Sequence, residues 1–288
     1  MHRRSLLAGT TALAATVRLA APALAQPAGA RTLVHVPQAN LTSLDPVWTT
    51  AVVSRNAAGL MFETLFGRDE SLAAKPQMLE GFSMEDGARR WTMRLREGLL
   101  FHDGEPVLAR DCVASLKRWM VRDPIGQTIA DRLGSLEAPD DRTLVWRLNK
   151  PFPSLAYALA KTQPSPVIMP ARIAATDPYR QIQEIIGSGP FRWVPDEYVP
   201  GSRAVWARND RYRPRDEPVS FCAGGLRAMV DRVEWQIIPD AGTAASALMN
   251  GEVDWVDQPI PDLLPRLRRT RGVTVGLLDE HGTIAVLR

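Results

Sequence analysis

The sequence predicts an α/β fold, and three observations carry that reading. In several short runs apolar residues alternate with polar ones at period two, the mark of strands with one dry and one wet face. Between these runs the apolar spacing changes to three and four, which places helices against the sheet. Turn pairs such as Asp86-Gly87, Glu97-Gly98, Asp103-Gly104 and Asn250-Gly251 punctuate the changes of period. A chain of 288 residues, 45% hydrophobic and 23% charged, is long enough for one large globular domain or two smaller ones.

The first 25 residues read as an export leader. Arg3-Arg4 forms a basic start, Leu6 to Val17 a short apolar region, and Ala23-Leu24-Ala25 a cleavage site that would leave Gln26 first. The apolar region is too short to span a bilayer. His2-Arg3-Arg4-Ser5-Leu6-Leu7 fits a twin-arginine signal as well as a general secretory one, and both routes lead to the periplasm. The formal charge of +3 comes from Arg3, Arg4 and Arg18 in this leader, so the mature chain is balanced and charge gives no argument for a nucleic-acid partner. Two cysteines, Cys112 and Cys222, are too few for a disulfide scaffold; a bond between them and two free thiols both stay open.

Taken in order, Thr32–Val36 is a strand stopped by Pro37, and Asp45-Pro46 makes an Asx-type turn. Val52, Val53, Ala57, Leu60, Met61 and Leu65 predict a helix over 49–66. Trp91, Met93 and Leu95 alternate with polar residues in a strand; Leu99 to Phe101 predicts a second one, and Val113, Leu116 and Met120 a helix lying on both. A helix is expected over Ile129–Leu136, a turn over Ala138–Thr143, a strand over Leu144–Leu148, a helix over Phe152–Lys161 and a strand over Val167–Met169. The Pro- and Gly-rich stretch from Arg213 to Leu226 reads as a surface excursion. Val233–Ile238 is a strand, Pro239-Asp240 a helix start, and Ala244–Met249 a helix closed by Asn250-Gly251.

The run from Trp91 to Trp119, WTMRLREGLLFHDGEPVLARDCVASLKRW, resembles the extracytoplasmic solute-binding proteins of peptide, nickel and oligosaccharide ABC importers, family 5. The resemblance rests on Trp91, Thr92, Leu95, Arg96, Gly98, Phe101, His102, Asp103, Gly104, Pro106, Ala109, Asp111, Val113, Ser115 and Arg118. It extends to Leu44-Asp45-Pro46, Glu63 to Phe66, Lys75 to Phe82, Gly187-Ser188-Gly189-Pro190-Phe191, Arg208 to Tyr212 and Gly251 to Asp254. Phe82 stands where the family carries tryptophan, and it is expected to fill core in the same way.

The resemblance implies a mixed-sheet lobe of periplasmic-binding-protein type, occupying residues 26–288, with the second lobe missing. The segment Gly282 to Arg288 is then the strand that leads into that lobe, and the chain a fragment of a longer product or half of a two-chain protein. It also implies capture of a small solute, peptide by default, for delivery to ABC permease subunits, by a monomer without cofactor or metal. Candidate ligand contacts are Asn40, Leu41, Thr42 and Ser43 in the first loop, Pro164 and Ser165 after the short helix, and Gln258 to Ile260 near the end. A plain loop role stays open for each.

The residues themselves give no catalytic set. His102 has no second histidine at helical spacing and Ser188 no nucleophile elbow, so both read as structural. A secreted hydrolase or scavenger without a transporter, and an inactive truncated chain, remain the competing readings.

Overall fold

The structure is a computed structural model and describes residues 31–162 and 165–277. The leader, Pro164 and the strand expected over 282–288 lie outside the described residues. Chain order begins with β1 (Thr32–Val36), α1 (Val52–Met61), β2 (Phe66–Arg68), β3 (Ala74–Pro76), β4 (Leu79–Glu85) and β5 (Arg90–Leu95). It continues through α2 (Ala109–Arg122), α3 (Pro124–Ala130), β6 (Leu133–Glu137), β7 (Thr143–Leu148), α4 (Leu155–Leu159) and α5 (Ala171–Ala174). Then come β8 (Phe191–Trp193), β9 (Arg203–Arg208), β10 (Arg232–Gln236), α6 (Ala241–Asn250), β11 (Trp255–Val256) and α7 (Leu264–Arg269).

These elements make a mixed five-stranded sheet in the order β11-β1-β10-β9-β8, an antiparallel four-stranded sheet β4-β5-β7-β6, and the ribbon β2-β3. β1 runs parallel to both β10 and β11, which follow it by some two hundred residues. In the four-stranded sheet Trp91, Met93 and Leu95 are buried, as their alternation predicts, and Trp91 faces Trp146 across the β5–β7 pair. Helix α2 buries Ala109, Cys112, Leu116 and Trp119 on the face turned to the protein interior. Its first turn is held by the Asp111 carboxylate, which accepts from Leu108 N at 2.9 Å. One hydrophobic cluster joins residues of both sheets, while α6 covers the opposite face of the five-stranded sheet with a small satellite core of Val36, Ala244, Ala247 and Val253.

Several expectations are corrected. The first helix ends at Met61, because Phe66 pairs in β2 and leaves the helical path. The strand expected over Leu99–Phe101 is reduced to a single bridge between Leu100 and Pro106, and Val167–Met169 to a bridge with Thr64. No helix runs over Ile129–Leu136. Asp123 caps α3 instead, accepting from Ile125 N and Gly126 N at 2.8 and 2.9 Å with Pro124 in the first turn, and the helix is spent by Ala130. Leu133–Glu137 then pairs with β7, with Gly134 at a register shift where a Cβ would press on Arg147 O at 3.1 Å. The helix over Phe152–Lys161 shortens to α4.

Phe82 does not fill core. It is 44% exposed and lies on the rim of the sheet between Phe66 and Trp91, with ring centroids at 5.2 and 5.9 Å. The loop over 213–226 is not a free excursion either. Arg215 Nη1 donates to the carbonyls of Gln77 and Leu79, and the Gln77 side chain pairs with both N and O of Gly224. Gly67 lets this loop lie flat on β2, since a Cβ there would stand 2.2 Å from Cys222 O. Cys112 and Cys222 are both free thiols, Cys112 buried and Cys222 half-buried.

Candidate functional site

Two parallel strands that end side by side bring their following loops together, and β1 with β11 does this here. His35 faces Trp255 and Val36 faces Val256, and Asp257 N donates to Val36 O at 2.9 Å. The loop carrying Asn40 to Ser43 and the loop carrying Gln258 to Ile260 therefore leave the same end of the sheet. That carboxyl edge is where ligands settle in open α/β sheets. His35 lies between Trp235 and Trp255, with ring centroids at 5.2 and 5.9 Å. Its burial lowers its affinity for a proton against the pull of Asp257.

Within the first loop the four candidates divide. Leu41 and Ser43 are 2% and 5% exposed, and both act as anchors. Leu41 O accepts from the Tyr198 hydroxyl at 3.2 Å, while Ser43 Oγ donates to Gln181 Oε1 at 3.1 Å and accepts from Asp45 N. Asn40 and Thr42 between them are exposed. In the other loop Gln258 is exposed and adopts φ +53°, left-handed backbone without glycine, and Ile260 is 45% exposed. A strained, exposed polar residue at a sheet's carboxyl edge is a place where a fold holds a side chain against its preference.

The first loop is fixed from below by a buried ion pair. Asp45 Oδ1 and Oδ2 accept from Arg118 Nη1 and Nη2 at 3.1 and 2.7 Å, with both side chains 1% exposed. Asp45 also accepts from the backbone N of Val47, Trp48 and Ile182. Arg118 spends its remaining donors on the carbonyls of Thr176 and Arg180. One helical arginine thus ties the loop after β1 to the segment after α5, and a bidentate guanidinium–carboxylate pair is the geometry that does so with direction as well as charge. An open cleft of about 710 Å³ lies between these walls, lined by Trp48, Tyr179, Arg180 and Gln181 among others. Sequence reasoning matched Asp45 and Arg118 separately and did not join them; an acidic turn residue and a lone arginine on a helix's buried face are the signal that could have done so.

Ser165 is placed beside β2. Its carbonyl accepts from Val167 N, and Val167 bridges Thr64, just ahead of β2. At the end of β2 the Arg68 guanidinium lies over the ring of Tyr157 on α4, 4.2 Å from its centroid. The structure so groups Asn40 to Ser43 with Gln258 and Ile260, and sets Ser165 beside β2.

The Gly187-Ser188-Gly189 segment is a structural clamp. A Cβ on Gly187 would lie 2.0 Å from Met61 O, so only glycine lets the segment cross the end of α1. His102 Nδ1 accepts from Gly187 N at 3.3 Å and its Nε2 donates to Gly189 O at 3.1 Å, which requires the neutral ring. Burial pushes its pKa down to about 4. Ser188 Oγ donates to the fully buried carboxylate of Glu63, whose pKa burial pushes up to about 7 although Arg96, Ser188 and Tyr212 oppose it.

Comparison with known proteins places this geometry among relatives. Residues 73–287 match the family model described as bacterial extracellular solute-binding proteins, family 5 Middle. The chain is 38% identical over 281 residues to a probable peptide ABC transporter periplasmic-binding protein, y4tO, of Sinorhizobium fredii, covering 96% of this chain and 52% of the relative. It is 28% identical over 271 residues to the glutathione-binding protein GsiB of an Escherichia coli strain, covering 91% and 47%. The oligopeptide-binding protein AppA from Bacillus subtilis, solved in complex with a nonapeptide, superposes with a TM-score of 0.68 at 21% identity, over 83% of this chain and 46% of that one. The chain spans about half the length of the curated relatives it matches.

Proposed function

Because this chain belongs to the family 5 bacterial extracellular solute-binding proteins, we propose that it forms the solute-capturing lobe of a periplasmic component that delivers a peptide to an ABC permease. The observation that carries the reading is the parallel pairing of β1 with β11, which sets Asn40, Thr42, Gln258 and Ile260 at one sheet edge. Peptide is the substrate class supported by the relatives, one a probable peptide-binding protein, one glutathione-binding, one solved with a nonapeptide. Asn40 and Gln258 offer amide groups that can pair with a peptide backbone, and Trp255, 43% exposed beside them, offers an apolar surface. Leu41, Ser43 and the Asp45–Arg118 pair hold the loop for them. Ser165 would reach the solute from the β2 side.

The chain acts by binding and not by turnover, as an exported monomer whose leader is removed. Binding to the folded state stabilises it by mass action, by about 2.7 kcal/mol at a hundredfold excess over Kd, and so raises the unfolding midpoint. Thermal unfolding with and without a tripeptide mixture should show that rise, and Gln258→Ala should diminish it. A midpoint indifferent to every peptide at millimolar concentration would refute the reading.

A further inference from the structure

Arg68 is a half-buried arginine with no carboxylate partner among the described residues. Its Nε is buried without a hydrogen-bond partner among the described residues. Arg118, Arg96 and Arg142 are paired with carboxylates, and Arg122 and Arg132, which stack on rings as Arg68 does, each donate to a backbone carbonyl. What holds Arg68 is the face of Tyr157, 4.2 Å away, a ring that is itself 48% exposed. Stacking occupies the flat face of a guanidinium, and with Nε buried it is the Nη1–Nη2 edge that can meet a carboxylate in a bidentate pair. The neighbourhood adds positive charge, since Arg55 and Arg68 both act on the half-buried Cys222 thiol. Nearby Asp69 is engaged by Lys75 at 3.4 Å and by the backbone N of Ser71 and Ala73. Ser165 is brought to this side of the molecule through the Thr64–Val167 bridge, four residues before Arg68.

We propose that Arg68, braced on Tyr157, receives a carboxylate of the bound solute and so makes this protein selective for acidic or free-C-terminal peptides. The proposal rests on the solute-binding reading above and adds to it the chemical group recognised at the β2 end. The apolar underside and the cationic edge together suit a carboxylate carried on a peptide better than a free inorganic anion.

The test is calorimetric titration of the full chain with trialanine, trialanine amide, Ala-Glu-Ala amide and succinate. Trialanine should bind at least tenfold more tightly than its amide, and Ala-Glu-Ala amide should recover part of that difference if a side-chain carboxylate can also reach Arg68. Arg68→Met should remove the preference while leaving the affinity for trialanine amide as it was. Tyr157→Leu, a change at an exposed ring, should weaken the preference without abolishing it, which guards against a folding defect in the first variant. Peptides that bind with no acid preference, or a preference that survives Arg68→Met, would overturn the proposal and leave the peptide reading standing. Succinate binding that depends on Arg68, with no binding of any peptide, would keep the carboxylate site and sink the peptide reading. Absence of binding by all four probes would overturn both.

Discussion

Arg118 and Asp45 show how one residue can carry a loop. Removing one member of a buried pair leaves an uncompensated charge, which costs about 3–5 kcal/mol, and here the loss of Arg118 also strands the carbonyls of Thr176 and Arg180. Arg118→Met should therefore lower the unfolding free energy measured in urea by that order and, through the freed loop, weaken peptide binding beyond what stability accounts for. Neither residue's role is legible alone, because each looks like an ordinary turn acid or helix base until the fold joins them across 73 positions. Glu63 and His102 grip the same Gly187–Gly189 clamp and titrate against each other. The folded pKa of Glu63, about 7, stands above its ordinary 4.5, so its contribution is full below pH 4.5 and is lost as pH rises toward 7. The folded pKa of His102, about 4, stands below its ordinary 6.5, so its contribution is full above 6.5 and is lost as pH falls toward 4. Between pH 4.5 and 6.5 the two slopes oppose, each up to about 1.4 kcal/mol per pH unit. Relative to the parent chain, Glu63→Gln should make stability climb with pH across that window, and His102→Gln should make it fall. Equal profiles for all three proteins in urea unfolding at pH 5 and 6.3 would contradict this account.

At the scale of elements, legibility followed local signals. Helix α6 could be read because its ends are chemical: Asp240 accepts from Thr243 N at 2.7 Å, and Gly251 closes it at φ +72°. With open space around Gly251, Gly251→Ala should cost only the left-handed backbone penalty, about 1 kcal/mol; at Gly187, where a side chain meets Met61 O, the same change should cost several times more. Strand β11 could not be read. Two residues make no period, and its partner β1 lies 220 positions earlier, so only the assembled sheet reveals it. The helix expected over Ile129–Leu136 failed for the complementary reason. Its apolar spacing suits either period, and the cap at Asp123 with the partner strand β7 decides between them. The satellite core under α6 is built from alanines and valines, so it holds its helix with far less apolar area than the main cluster gives α2. Amides of α6 and β11 should accordingly exchange with solvent well before those of α2 and β5, and native-state exchange would show it. The candidate loop 257–260 follows β11 and loop 40–43 follows its partner β1, which suits a surface that must adjust to a solute.

The whole molecule sets these parts in one frame. Fold class was readable because strand and helix periods alternate along the sequence, but the division into two sheets was not, since it depends on which distant strands pair. What unites the sheets is a single cluster in which Trp91, Trp119 and Trp146 from the four-stranded side are continuous with Trp206, Trp235 and Phe191 from the five-stranded side. Aromatic contacts extend it from Tyr198 through Trp193, Trp206 and Trp235 to His35 and Trp255, across the breadth of the five-stranded sheet to the edge where Gln258 stands. A shared core makes neither sheet stable without the other, so residues 31–277 should unfold as one cooperative unit. Calorimetry should give equal calorimetric and van't Hoff enthalpies, and tryptophan fluorescence and far-ultraviolet circular dichroism should report one midpoint. A peptide that binds at the β1–β11 edge should then shift the transition of the entire body, since the aromatic rows leave no part of the sheet to melt independently. Two separable transitions, with only one of them responding to peptide, would show that the sheets are independent domains and that the continuous core does not couple them.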